Sequence, residues 1–243
     1  MTDGFIGELV GTATLILLGN GAVANVLLAK SKGQNSGWIV IATGWGFAVL
    51  FGVLVAVAAG GPGHINPTVT IAFAASSGDW SNVVPLIAAQ FIGAFIGGVL
   101  VWLTHLVHWA ETEDQGAKLA VFCTGPAIRN YRANLVTEMV GGFALLFLVA
   151  ALSAVASKAG ATMPPLLVPI TVGFLVWGLG LSLGGPTGFA LNPARDLGPR
   201  IAHAVLPIAG KGGSDWSYSW VPVLGPVIGG VCALLMVKAT SIF

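Results

Sequence analysis

The fold class predicted is an all-α membrane protein with six transmembrane helices and two half-length helices in an inverted repeat. Three observations predict it. First, the 243 residues are 56% hydrophobic and 8% charged, with a mean hydropathy of +0.90. A soluble domain carries about 25% charged residues, so lipid must be the main solvent of this chain. Second, charge-poor apolar runs reach the roughly 20 residues a span requires. Third, Asn-Pro occurs twice at the ends of apolar spans, in Gly63-His64-Ile65-Asn66-Pro67-Thr68 and in Phe189-Ala190-Leu191-Asn192-Pro193-Ala194-Arg195-Asp196.

The elements follow in order. The first span, 4–28, has no basic stretch or cleavage site before it, so it is expected to be retained rather than removed as a signal peptide. A polar connection at 29–37 leads to the second span, 38–59, which ends at Gly60-Gly61-Pro62. Proline lacks an N–H and has its φ preset, so Asn66-Pro67 opens a helix. That piece, 67–76, reaches only about halfway across a bilayer. After 77–83 comes the third span, 84–108, then the largest polar connection, 109–133. The second half repeats the plan with spans at 134–157 and 166–184, a half-helix at 193–203 and a last span at 219–238. Its connections are 158–165 and 204–218. The whole chain, 1–243, reads as one transmembrane domain, with repeats at about 1–108 and 134–243 joined by 109–133.

The halves resemble each other. Glu8-Leu9-Val10-Gly11 matches Glu138-Met139-Val140-Gly141, Trp45-Gly46-Phe47 is echoed by Gly173-Phe174 and Trp177-Gly178, and Gly93-Ala94-Phe95-Ile96-Gly97-Gly98 matches Gly225-Pro226-Val227-Ile228-Gly229-Gly230. Three full spans per half force the second copy to insert upside down, which puts the site at the midplane between the copies. Gly7/Gly11, Gly93/Gly97, Gly180/Gly184 and Gly225/Gly229 stand four apart and read as helix-packing positions. The Gly-rich stretches at 60–63 and 178–185 lack the strand-to-helix context of a nucleotide loop.

Several classes are disfavoured. A net charge of +1 argues against nucleic acid as a partner. Cys123 and Cys232 have no metal or redox spacing, and a disulfide between a polar connection and the last span is not expected. No Ser/His/Asp, Cys/His or metal constellation emerges, so neither an enzyme nor a cofactor is predicted. Charge does not orient the chain. With both termini cytoplasmic, that side holds Lys158 and Lys238, while the other holds Lys30, Lys32, Lys118, Arg129, Arg132 and Lys211 besides Arg195 and Arg200 of a half-helix. That is the reverse of the positive-inside pattern.

A polar amide at membrane depth needs a reason. Asn66 and Asn192 each open a half-helix. The side-chain oxygen can cap local N–H groups, leaving the NH₂ free to point into a channel and donate to a permeant hydroxyl. Two positive helix ends add a barrier to cations and protons. Arg195, in a membrane half-helix, can donate several hydrogen bonds within a narrow pore, or snorkel to anchor a helix end. His64 either lines the pore or holds its loop. His105, His108 and His203 read as solvated or interfacial. Glu8 and Glu138 are equivalent buried carboxylates. They could relay protons, but symmetry favours acceptors for the irregular backbone before each half-helix.

These residues resemble the aquaporin superfamily, the major intrinsic proteins, and within it the aquaglyceroporins or glycerol facilitators. The resemblance covers nearly the whole chain. Its most specific stretch runs from Gly185 to Arg200, where Asp196 follows Asn-Pro-Ala-Arg and Arg200 follows in turn; Pro222-Val223 also resembles the glycerol branch. The resemblance implies a pore centre at Asn66 and Asn192 with His64, Thr68 and Leu191 around it. It implies a selectivity filter of Trp45, Gly180, Phe189 and Arg195, with Asp196 among the supporting residues. Trp45 and Phe189 would form an apolar corner for the CH groups of glycerol and Arg195 would bind its hydroxyls. Gly180 stands where water-selective relatives carry His, so the bore should be wider. Two departures are Thr68 in place of the usual Ala and a Trp45–Asn66 spacing one residue longer than the family pattern, which a slip near Gly60-Gly61-Pro62 would absorb. Thr68 either bonds locally or changes the midplane polarity.

The function expected is a passive channel for glycerol and other small uncharged solutes, with some water flow. Urea, dihydroxyacetone and protonated small acids are further solutes. The rivals are a water-selective channel of the same fold and a proton-coupled transporter using Glu8 and Glu138. The resemblance also implies a homotetramer in the plasma (inner) membrane with cytoplasmic termini.

Overall fold

The computed structural model describes residues 4–158 and 166–243. Among them every regular element is a helix: α1 (Phe5–Leu27), α2 (Trp38–Ala58), α3 (Pro67–Ser77), α4 (Val83–Thr104), α5 (His108–Glu111), α6 (Gln115–Phe122), α7 (Tyr131–Lys158), α8 (Leu167–Leu183), α9 (Pro193–Val205) and α10 (Val221–Thr240). The connection expected at 158–165 lies, beyond Lys158, outside the described residues.

Five of these helices, α1, α2, α4, α7 and α10, are long and apolar enough to cross a bilayer. The sixth, α8, is apolar and 17 residues long, a reach of roughly 25 Å. The half-helices α3 and α9 have 11 and 13 residues. Each begins with Asn as N-cap and Pro behind it, and α3 stops at Gly78 with φ +86°, a left-handed end that glycine adopts without strain.

The helices interlock across the halves. α1 packs on α2 and α4, α7 on α10, and α2 on α8. Each half-helix then packs on the third long helix of the opposite half, α3 on α10 and α9 on α4.

Glycine sets the closest approaches. A Cβ on Gly93 would lie 2.2 Å from the Leu9 carbonyl, and one on Gly229 would lie 1.9 Å from the Met139 carbonyl. Leu9 and Met139 follow the two matched glutamates, so packing equates Gly93 with Gly229, one helical turn away from the match with Gly225 read in sequence. Small residues repeating every four positions can be aligned in either register, and only the partner helix chooses.

Two further readings are corrected. The connection 109–133 is not merely a polar loop: it contains α5 and α6 and buries Trp109, Val121 and Phe122 at 1, 0 and 0% exposure. The Asn20 amide of α1 donates to the Phe122 carbonyl at 3.1 Å, and the Trp109 indole donates to the Trp102 carbonyl at 3.0 Å. His203 is neither solvated nor interfacial. It is fully buried, with Nδ1 2.9 Å from Ser214 Oγ and its ring 5.4 Å from that of Phe122.

Candidate functional site

The site begins with two strained loops. Before α3, Gly63 has φ +75° and Ile65 has φ +44°; before α9, Gly188, Phe189 and Leu191 have φ +81°, +38° and +56°. A left-handed conformation costs a non-glycine residue about 1–2 kcal/mol, so something must hold these turns. Buried carboxylates do. Glu8 accepts the N–H groups of His64 at 2.8 Å and Ile65 at 2.7 Å, and the Gln90 amide donates to it at 2.6 Å. Glu138 accepts the N–H groups of Ala190 at 3.0 Å and Leu191 at 3.1 Å and the Thr187 hydroxyl at 2.7 Å.

The loops bring the two asparagines together. Asn66 Oδ1 caps α3 by accepting from Thr68 N at 2.8 Å; Asn192 Oδ1 caps α9 by accepting from Ala194 N at 3.0 Å and Arg195 N at 3.2 Å. The sequence reading leaves both amides free, but each is partly engaged. Asn66 Nδ2 donates to the Leu191 carbonyl at 3.0 Å and Asn192 Nδ2 to the Ile65 carbonyl at 2.8 Å. A primary amide carries two N–H groups, so one on each residue is left for a ligand.

On one side of this pair lies a cavity of about 300 Å³, walled by aliphatic residues of α2, α7 and α8 and reached by His64, Asn66 and Asn192. His64 Nδ1 is 3.1 Å from Thr70 Oγ1, and its ring stacks on Phe73 with centroids 5.5 Å apart. The histidine thus touches both the cavity and the half-helix behind its loop. Thr68 is absent from the cavity wall. Its hydroxyl is buried with no partner among the described residues, and its methyl faces Gly230, where an added Cβ would lie 2.8 Å away.

Of the four residues expected to form the filter, the structure pairs Arg195 with Trp45 and Phe189 with Gly180, and the three side chains are buried, at 3, 5 and 5% exposure for Trp45, Phe189 and Arg195. The α2 helix ends in a tight turn, with Gly60 at φ +81° and Gly61 N donating to the Ala56 carbonyl at 2.8 Å. The Arg195 guanidinium carbon sits 4.0 Å from the centre of the Trp45 ring. Arg195 Nη1 and Trp45 Nε1 are both buried donors without an acceptor among the described residues. Phe189 pairs edge to face with a ring the sequence did not single out, Trp38, at 5.8 Å and 76°. Gly180 seats the Phe189 ring, whose Cζ would be 2.9 Å from an added Cβ.

Within α9, Asp196 and Arg200 form a fully buried i,i+4 ion pair at 2.8 Å. Arg200 also donates to the carbonyls of Ser214 at 2.8 Å and Thr124 at 2.9 Å, and Asp196 accepts the Thr124 N–H and hydroxyl at 2.8 and 2.6 Å. These bonds tie two connections to α9 and complete the pair's hydrogen bonding, without which burial would be costly.

Sequence reasoning missed Gln90, Thr124, Thr187 and Trp38. Gln90 was visible as a lone amide in an apolar span. Nothing marked Trp38, because a tryptophan at a span end is also what a membrane anchor looks like.

Apolar helices around two half-helices that meet end to end, with donors at their junction, define a membrane channel. The chain belongs to the major intrinsic protein family, whose description matches residues 1–237. It is 58% identical over 228 residues to a probable glycerol uptake facilitator protein of Thermotoga maritima, covering 93% of this chain and 94% of that one. It is 50% identical over 237 residues to a glycerol uptake facilitator protein of Streptococcus pneumoniae, covering 97% and 98%. The X-ray structure of the aquaglyceroporin from Plasmodium falciparum superposes with a TM-score of 0.85 at 30% identity, covering 98% of this chain and 96% of that one.

Proposed function

We propose that this multi-pass membrane protein is a passive channel for glycerol and related small uncharged solutes, with some water flow. The observation that carries the reading is a pair of buried donors, Arg195 Nη1 and Trp45 Nε1, without partners among the described residues, held together by the Arg195–Trp45 contact; the family resemblance sets Phe189 as the apolar wall across from them. A polyol has a hydroxyl edge and a carbon edge. Shedding water costs its hydroxyls several kcal/mol unless donors replace it, and an apolar ring accepts its CH groups. Beyond these donors the solute meets one N–H each from Asn66 and Asn192 at the positive ends of α3 and α9, where a cation is repelled. The names of the 50–58% identical relatives support glycerol as the solute.

Coupling to protons is not favoured, because every oxygen of Glu8 and Glu138 is occupied by loop or side-chain donors and neither residue lines the cavity. Family resemblance supports a homotetramer in the plasma (inner) membrane with cytoplasmic termini.

Stopped-flow light scattering of proteoliposomes under glycerol and water gradients tests the reading. Glycerol flux well above that of protein-free liposomes, following the solute gradient and indifferent to a pH gradient, is expected. Fast water flow with no such glycerol flux would overturn it in favour of a water-selective channel.

A further inference from the structure

Trp38 stands at the first position of α2 and is 39% exposed. Its place invites the reading of an interfacial anchor, whose indole N–H would face water or headgroups. The geometry is different. Trp38 Nε1 donates across the molecule to the Gly180 carbonyl of α8 at 2.9 Å. Its ring meets Phe189 edge to face at 5.8 Å. Its Cζ2 occupies the space of the missing side chain at Gly184, 2.6 Å from where a Cβ would be.

Three contacts therefore converge. The glycines four apart in α8, Gly180 and Gly184, do not receive another helix backbone. Gly180 receives the ring of Phe189, and Gly184 receives the rings of both Phe189 and Trp38. Phe189 itself sits at φ +38°, so its backbone is strained and its ring direction is not set by local preference. What holds the ring is the slot between Gly180 and the Trp38 indole.

We infer that Trp38 is a positioning residue of the selectivity filter: it pins the Phe189 ring against Gly180 and so sets the width that a permeant polyol meets. The inference rests on the proposed channel function. An indole fits this task because one rigid side chain supplies both the apolar edge and the hydrogen-bond donor. Without it, the ring gains room toward the N-terminal end of α2, and solutes bulkier than glycerol pass more readily.

The test compares glycerol and the five-carbon polyol xylitol in proteoliposomes of the wild type, Trp38→Phe and Trp38→Ala. The readout is the xylitol-to-glycerol flux ratio, which a change in folded fraction leaves unmoved. The ratio is expected to rise about three- to tenfold in Trp38→Ala and about twofold in Trp38→Phe, which keeps an aromatic edge but loses the donor. An unchanged ratio in both, with wild-type glycerol flux intact, overturns the role of Trp38 and leaves it an anchor. Where Trp38→Ala is not recovered folded, the ratio in Trp38→Phe decides alone on the same criterion. Wild-type glycerol flux no higher than that of protein-free liposomes overturns the channel reading instead, and the filter role falls with it.

Discussion

Asn66 and Asn192 each donate a side-chain N–H to the carbonyl that precedes the other, at 3.0 Å to Leu191 and 2.8 Å to Ile65. The bond pair is reciprocal, so each half-helix start is held by the opposite loop. Replacing Asn192 with Ala removes a helix cap and a cross-half hydrogen bond together. A loss of about 2 kcal/mol of stability is expected, read from the denaturant midpoint in mild detergent. An unchanged midpoint would show that the half-helices stand without the cross-bonds.

Glu8→Gln tests the repair of the first loop. The carboxylate accepts from two loop N–H groups and from Gln90, whereas an amide offers one oxygen and turns an N–H toward a donor. A destabilisation of about 2–3 kcal/mol is expected. Folded variant protein should still conduct with no dependence on a pH gradient; a loss of coupled uptake with normal stability would favour the transporter instead.

Thr68→Val should stabilise. The hydroxyl is buried without a partner among the described residues, and valine preserves the shape against Gly230. A gain of about 1 kcal/mol is expected, with solute flux unchanged because Thr68 does not line the cavity. A fall in flux would place its hydroxyl in the conduction path.

Gly180→His should reduce glycerol flux more than water flux. Its Cβ would sit 2.9 Å from Phe189 Cζ, forcing the ring toward the lumen while the imidazole narrows the bore. Parallel losses of both fluxes in liposomes would count against the filter's placement.

Arg200→Lys should be poorly tolerated although it keeps the charge. The guanidinium bonds Asp196 and the carbonyls of Ser214, Asp215 and Thr124 at once, a fan that a single ammonium cannot reproduce. A cost of about 3 kcal/mol is expected, seen as a lower thermal midpoint. Conservative behaviour would mean that Asp196 alone secures the 124–130 connection.

Much of this was readable in one dimension. The apolar spans were legible because a bilayer admits only backbone that satisfies itself. The half-helices were legible because Asn-Pro is a helix start wherever it stands. The duplicated Glu8 and Glu138 already suggested loops in need of acceptors. The folded connection 109–133 was not legible, since α6 is only eight residues long and its seating depends on burying Phe122 against distant segments. Nor was His203, whose surroundings come from residues such as Phe122 and Ser214 on other segments.

The sequence by itself determined the solvent, the long spans and half-helices, the duplicated plan and the residues that meet at the centre, because these follow from hydropathy, chain length and local backbone preference. Tertiary structure alone decided which donors were left over for a solute and which ring faces which. It spent one N–H of each asparagine on the opposite loop, slipped the glycine match by one turn, and set Trp38 against Phe189. Such choices depend on contacts between segments far apart in the chain, and residue type does not encode the partner that packing brings.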